Sequence, residues 1–108
     1  MNMIQPAFPL SEQDIQIFCD RWQIIELALF GSILRDDFRP DSDIDLLVTF
    51  SPKADWSLLD HAKMQQELAS LLNRDVDLVS KRAIERSHNW IRRQEILNTA
   101  QVIYAQQP

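Results

Sequence analysis

Leu29-Phe-Gly31-Ser32-Ile-Leu-Arg35, followed by Asp41-Ser-Asp43-Ile-Asp45-Leu-Leu-Val48, decides how this chain is read. Gly31 is its only glycine and stands where an apolar run, Ile24–Phe30, ends. A backbone that must come close to a ligand needs a residue without Cβ, and here that residue precedes a hydroxyl. Ten residues separate Ser32 from Asp43, and Asp43 and Asp45 then open a strand-like segment. Carboxylates at i and i+2 of a strand share a face, roughly 6.5 Å apart along it. That spacing suits two divalent ions about 3.5–4 Å apart with phosphates between them, the arrangement of a nucleotidyl-transfer site.

Working outward, the pattern predicts strands interleaved with helices. Ser11 with Asp14 resembles a capping box, and Ile15, Phe18, Cys19 and Trp22 then form one apolar stripe, with Cys19 a core residue. Residues 32–37 are expected as a short helix and 36–41, with Pro40, as a loop. Residues 43–50 read as a strand apolar on both faces, hence central and covered by helices. Residues 58–73 read as the longest helix, with Leu58, Ala62, Gln65, Ala69 and Leu72 on its buried stripe, flanked by Leu59 and Leu68. Met64 and Leu71 fall on its other side, either as a wide buried face or as a contact for another chain. A third strand over 75–79, a helix over 83–100 with a break near 87–89, and a last strand over 101–104 complete an α/β (α+β) sandwich. The expectation is one domain over 1–108, with 1–10 an extended lead-in carrying Pro6 and Pro9.

Composition narrows the class. The net charge is −5. Residues 1–80 hold six Lys/Arg against fourteen Asp/Glu, whereas 81–108 hold five against two. An acidic whole argues against direct nucleic-acid binding, which wants a basic face. Lys81, Arg82, Arg86, Arg92 and Arg93 read as a basic patch, a solvated helix face or a partner contact. A single cysteine excludes an internal disulfide and fits a reducing compartment. With no apolar stretch near the ~20 residues needed to cross a bilayer and no signal-peptide pattern at the start, the chain is expected to be cytoplasmic and off the membrane. His61 and His88 have no second histidine or cysteine at zinc-ligand spacing.

The carboxylates carry the chemistry. Asp43 and Asp45, each flanked by apolar residues, are candidate metal ligands. Asp77, mid-strand in Val76-Asp-Leu-Val79, fits as a third carboxylate that also takes the acceptor's proton. Gly31 and Ser32 are placed to offer amide N–H groups and a hydroxyl to phosphates, with Arg35 one turn on. No Gly-Lys-Ser/Thr follows, so this is not a Walker loop.

Gly-Ser, ten residues, then Asp-x-Asp resembles the signature of the DNA polymerase β-like nucleotidyltransferases, and the chain looks like their smallest branch, the minimal nucleotidyltransferases. Val76-Asp77-Leu78-Val79 is similar to the third-aspartate strand, and Val102-Ile-Tyr104 to the usual chain end. The family often has Gly-Ser-x-Ala-Arg-Gly, where this chain has Leu34 and Asp36 around a retained Arg35. The resemblance implies the polymerase β-like fold, a mixed central sheet flanked by helices, with two Mg2+ ions on Asp43, Asp45 and Asp77 and nucleotide held partly by Gly31 and Ser32. It also implies an antitoxin that transfers AMP from ATP to a tyrosine of a cognate HEPN-type ribonuclease toxin. Two other readings stand beside it: an antitoxin that neutralises by binding alone, and a transferase acting on a small hydroxylated acceptor. So short a chain is expected to need another chain to complete the acceptor site.

Overall fold

A computed structural model describes residues 10–34 and 42–106. The expected loop over 36–41, including Asp41, and the candidate Arg35 lie outside the described residues, as does most of the 1–10 lead-in. The elements are α1 (Glu12–Arg21), β1 (Ile24–Phe30), a single 3-10 turn (Gly31–Leu34), β2 (Ile44–Phe50), α2 (Leu58–Leu72), β3 (Val76–Ser80), α3 (Lys81–Glu85), α4 (Trp90–Thr99) and β4 (Gln101–Ala105). They form a four-stranded mixed sheet in the order β3-β2-β1-β4. β1 is antiparallel to both of its neighbours, and β2 and β3 are parallel, joined by α2 as the crossover. The apolar-on-both-faces segment is indeed an interior strand, and the last helix is broken where Ser87 to Asn89 interrupt it.

Strand alternation sorts the core onto two faces. Leu27 and Leu29, Ile44, Leu46 and Val48, and Val76 and Leu78 pack with Ile15, Phe18 and Cys19 of α1 and Met64, Leu68 and Leu72 of α2. Ala28, Phe30 and Leu47 point the other way, against Ile84 of α3 and Ile96 of α4. The second face is thinly covered, and it is the one that carries Asp45 and Asp77.

Local chemistry fixes the helix ends. The Ser11 hydroxyl accepts from the Asp14 amide at 3.1 Å. In α2, Ser57 and Asp60 form a reciprocal capping box, and the Ser57 hydrogen bonds hold the Asp60 carboxyl below its ordinary range. Asn73, in the left-handed conformation at φ 55°, ends α2, a position asparagine tolerates. Glu67 ties the first two helices together by accepting from Arg21 and, at 2.9 Å, from the Trp22 indole. Trp22 in turn meets Trp56 edge to face, and its carbonyl accepts from the Trp56 indole at 2.9 Å.

The face of α2 needs correction. Met64, read either as part of a wide buried face or as a partner contact, is buried at 0% exposure, in keeping with the former, whereas Leu58, expected on the buried stripe, is 87% exposed. The inward line runs through His61, Gln65, Leu68 and Leu72, because α2 covers the edge strand. The Leu78 amide of β3 donates to Gln65 Oε1 at 2.9 Å, and His61 Nε2 lies 2.6 Å from the Leu78 carbonyl. A carbonyl only accepts, so that ring nitrogen carries the proton. Two polar side chains thus face inward to satisfy an otherwise unpaired strand edge, and the apolar first turn of the helix overhangs into solvent.

Cys19 is core, as expected: burial, with the Asp20 carboxylate adding, pushes its thiol up to about 12. A raised folded-state value keeps its stabilising contribution whole below the ordinary thiol range near 9 and removes it as pH rises toward 12. Two outcomes are expected. A thiol-specific disulfide reagent at pH 8 reacts with Cys19 only at the rate of unfolding, and the wild type loses more stability than Cys19→Ala between pH 9 and 11, measured by urea titration. Rapid native-state labelling would contradict the buried placement.

Candidate functional site: a carboxylate face at the end of β1

Gly31 takes φ +78°, a conformation that costs other L-residues strain. Its backbone lies hard against the Asp45 side chain: a Cβ at this position would overlap the carboxylate and come within 3.2 Å of its Cγ. The only glycine in the chain therefore stands where backbone and a candidate ligand must touch. Phe30 and Asp45 are register partners across β1 and β2, which brings the two halves of the motif together.

Across the next ladder, Asp45 and Asp77 are register partners in the parallel pair β2–β3. Neighbouring strands lie about 4.8 Å apart, so these carboxylates stand side by side on one face. Like charges side by side on a sheet repel unless a partner or a cation offsets them. Asp43 lies one residue ahead of β2, and alternation carries it to the same side. Asp43 and Asp77 are exposed and Asp45 is partly covered. Of the remaining site residues, Ser32 falls within the 3-10 turn.

The turn between α2 and β3 holds Asp43 in place, which the sequence did not announce. Arg74 donates to the carbonyl of Ser42, and the Ile44 amide donates to the carbonyl of Asp75 at 2.9 Å. Both residues adjoining Asp43 are thereby fastened to the segment that delivers Asp77. A cavity of about 340 Å3 opens beside this face, with Gly31 and Asp45 on one wall and α4 on the other.

In the expected basic patch, Arg82, Arg86 and Arg92 are exposed, while Lys81 and Arg93 are partly covered. Lys81 pairs with Glu26 at 3.5 Å, Arg93 donates to the Ser87 carbonyl at 3.1 Å, and Arg92 lines the cavity. His61 and His88 lie apart from the carboxylates, the former committed to Leu78.

The donor set offers hard oxygen only, which fits magnesium in kind. Among the described residues, no three His, Cys, Asp or Glu side chains converge closely enough to hold an ion by themselves. Magnesium does not ask for that: it takes one or two carboxylates and completes its octahedron with water and phosphate oxygens.

Two substitutions test these constraints. Gly31→Ala is expected to destabilise by about 1–3 kcal/mol, from strain plus overlap with Asp45, read by urea titration; no loss would show that the close approach is absent. Asp77→Asn removes one of two adjacent charges and is expected to leave the thermal midpoint unchanged or raised without divalent ions. A fall beyond about 1 kcal/mol would give Asp77 a structural role instead.

The family model described as "Nucleotidyltransferase domain" matches residues 12–103. Protein adenylyltransferase MntA of Thermococcus cleftensis is 36% identical over 66 residues, 61% of this chain; the match spans 65% of that relative, a little under two thirds of its length. A chain of a toxin–antitoxin crystal structure with AMP-PNP superposes with a TM-score of 0.68 and 26% identity, covering 91% of this chain and 76% of the other. A chain from the complex of a tri-AMPylated Shewanella oneidensis HEPN toxin with its MNT antitoxin gives 0.59 at 25% identity, covering 87% and 69%. With the family model matching residues 12–103, most of its length, the chain belongs to the nucleotidyltransferase domain family.

Proposed function

We propose that this chain is a magnesium-dependent adenylyltransferase that acts as an antitoxin, moving AMP from ATP to a tyrosine of a cognate HEPN-type ribonuclease toxin. The observation that carries the reading is the Asp45–Asp77 register pair with Gly31 pressed against it. The relative named protein adenylyltransferase, and the toxin–antitoxin complexes with AMP-PNP and with an AMPylated toxin, supply the acceptor and donor classes.

In chemical terms, the tyrosine oxygen attacks the α-phosphorus of ATP, the bond to the β-phosphate oxygen breaks, and pyrophosphate leaves. Asp77 accepts the phenolic proton. Asp43, Asp45 and Asp77 would hold the magnesium, which would neutralise phosphate charge. Gly31, Ser32 and Arg35 are the residues assigned to bind the phosphates in this reading. The Arg74 hold on Ser42 keeps Asp43 from swinging away when the triphosphate arrives. Positioning is most of the work in such a transfer, since the charges form at fixed places and the groups that meet them are fixed in advance.

The test is intact-mass spectrometry of the co-expressed toxin after incubation with this protein, ATP and magnesium. The wild type is expected to add one or more AMP units. Asp43→Asn/Asp45→Asn is expected to slow addition by at least about a hundredfold. A double variant that still modifies the toxin would remove the mechanism, and one that protects cells without modifying it would favour neutralisation by binding.

A further inference from the structure

Most cations near this face are absorbed by the fold: Arg74 holds Ser42, Lys81 meets Glu26, and Arg93 bonds the carbonyls of Glu85 and Ser87. Arg92 differs. Its side chain makes no ion pair or hydrogen bond among the described residues, its amide alone being engaged, by the N-cap Asn89. It stands in the first turn of α4, where the helix dipole disfavours a cation, and that turn has no acidic residue to offset it. Nothing in the stability of α4 explains an arginine here.

Its surroundings do. Arg92, Glu95, Ile96 and Thr99 form one stripe of α4 facing the cavity, across from Gly31 and Asp45. Arg92 is the one cation among the described residues that line it. The opposite wall is anionic, and a triphosphate entering there needs positive charge beyond what a metal shared with the aspartates supplies. Thr99 already donates its hydroxyl to the Glu95 carbonyl at 2.6 Å, so that end of the stripe presents acceptors. From Arg92 to Thr99 the helix rises about 10 Å, with a phosphate-binding cation at one end and groups that repel phosphate at the other.

We propose that α4 is the second wall of the nucleotide site and that Arg92 binds the phosphate chain of the nucleoside triphosphate. This rests on the nucleotidyl-transfer reading above and adds a residue outside its sequence motif. Glu95, one turn on, turns phosphate away and accepts hydrogen bonds from hydroxyl or amine, which orients the nucleoside toward Thr99.

The experiment is equilibrium binding of AMP-PNP and of AMP, with magnesium, to wild type, Arg92→Ala, Arg92→Lys and the charge-matched control Arg86→Ala. Arg86 is exposed and outside the cavity. Arg92→Ala is expected to bind AMP-PNP about ten- to a hundredfold more weakly, the size of a lost charge-assisted contact, with AMP changed less than about threefold. Arg92→Lys is expected to recover part of the loss, and Arg86→Ala to bind as wild type. Equal losses for AMP-PNP and AMP, or none for either, would overturn the assignment. So would an equal loss in Arg86→Ala, which would trace the effect to net charge. A wild type that binds neither ligand would defeat the nucleotidyl-transfer reading itself, a result separate from any behaviour of Arg92.

Discussion

One close approach governs the site: the backbone of Gly31 against the carboxylate of Asp45. It demands a residue without a side chain, in a left-handed conformation, at the point where β1 ends. It also demands that β2 return antiparallel in the register that sets Phe30 beside Asp45. Once that register is set, alternation determines everything else on the face. Leu46 and Val48 go to the thick core beneath α1 and α2, and Asp45 goes to the thin side where a ligand has room. The parallel pairing with β3 then adds Asp77 at the same level.

The two faces of the sheet divide the labour. The α1–α2 face buries the larger apolar cluster and is tied by Glu67 and the Trp22–Trp56 contact, so stability is concentrated there. Among the described residues, the other face is covered by a five-residue helix and α4 around a small cluster. A cavity lies there, lined by Asp45, whose register partner is Asp77. The separation lets the sheet carry local strain at Gly31 without endangering the core.

Much of this was legible in the sequence because the decisive features are local. A lone glycine after an apolar run, two aspartates two apart, and a strand apolar on both faces are visible without knowing what packs where. The strand boundaries, the break before α4 and the burial of Cys19 followed from period and punctuation. The inward face of α2 did not. Hydrophobicity counted Leu58 and Leu59 with the buried face and left Met64 between a buried face and a partner contact, because no pattern tells that His61 and Gln65 turn inward to satisfy the Leu78 edge of β3. Arg74 and Arg92 gave no sequence signal separating them from solvated cations; their meaning comes from Ser42 and from a cavity wall.

The α2 crossover also behaves as a ruler. Its fifteen residues rise about 22 Å, and the seven residues of β2 cover about 23 Å, so the helix returns the chain to the level at which β2 began. There the turn at Arg74 and Asp75 grips both sides of Asp43 and releases β3 with Asp77 beside Asp45. One inserted residue in α2 would rotate that turn by about 100° and advance it by 1.5 Å, pulling the anchor from Ser42 and shifting Asp77 out of register together. Length variation compatible with this site is therefore confined to segments off the ruler, such as the loop between Phe50 and Ser57. The helix is constrained in its residue count even where its surface residues are free to change.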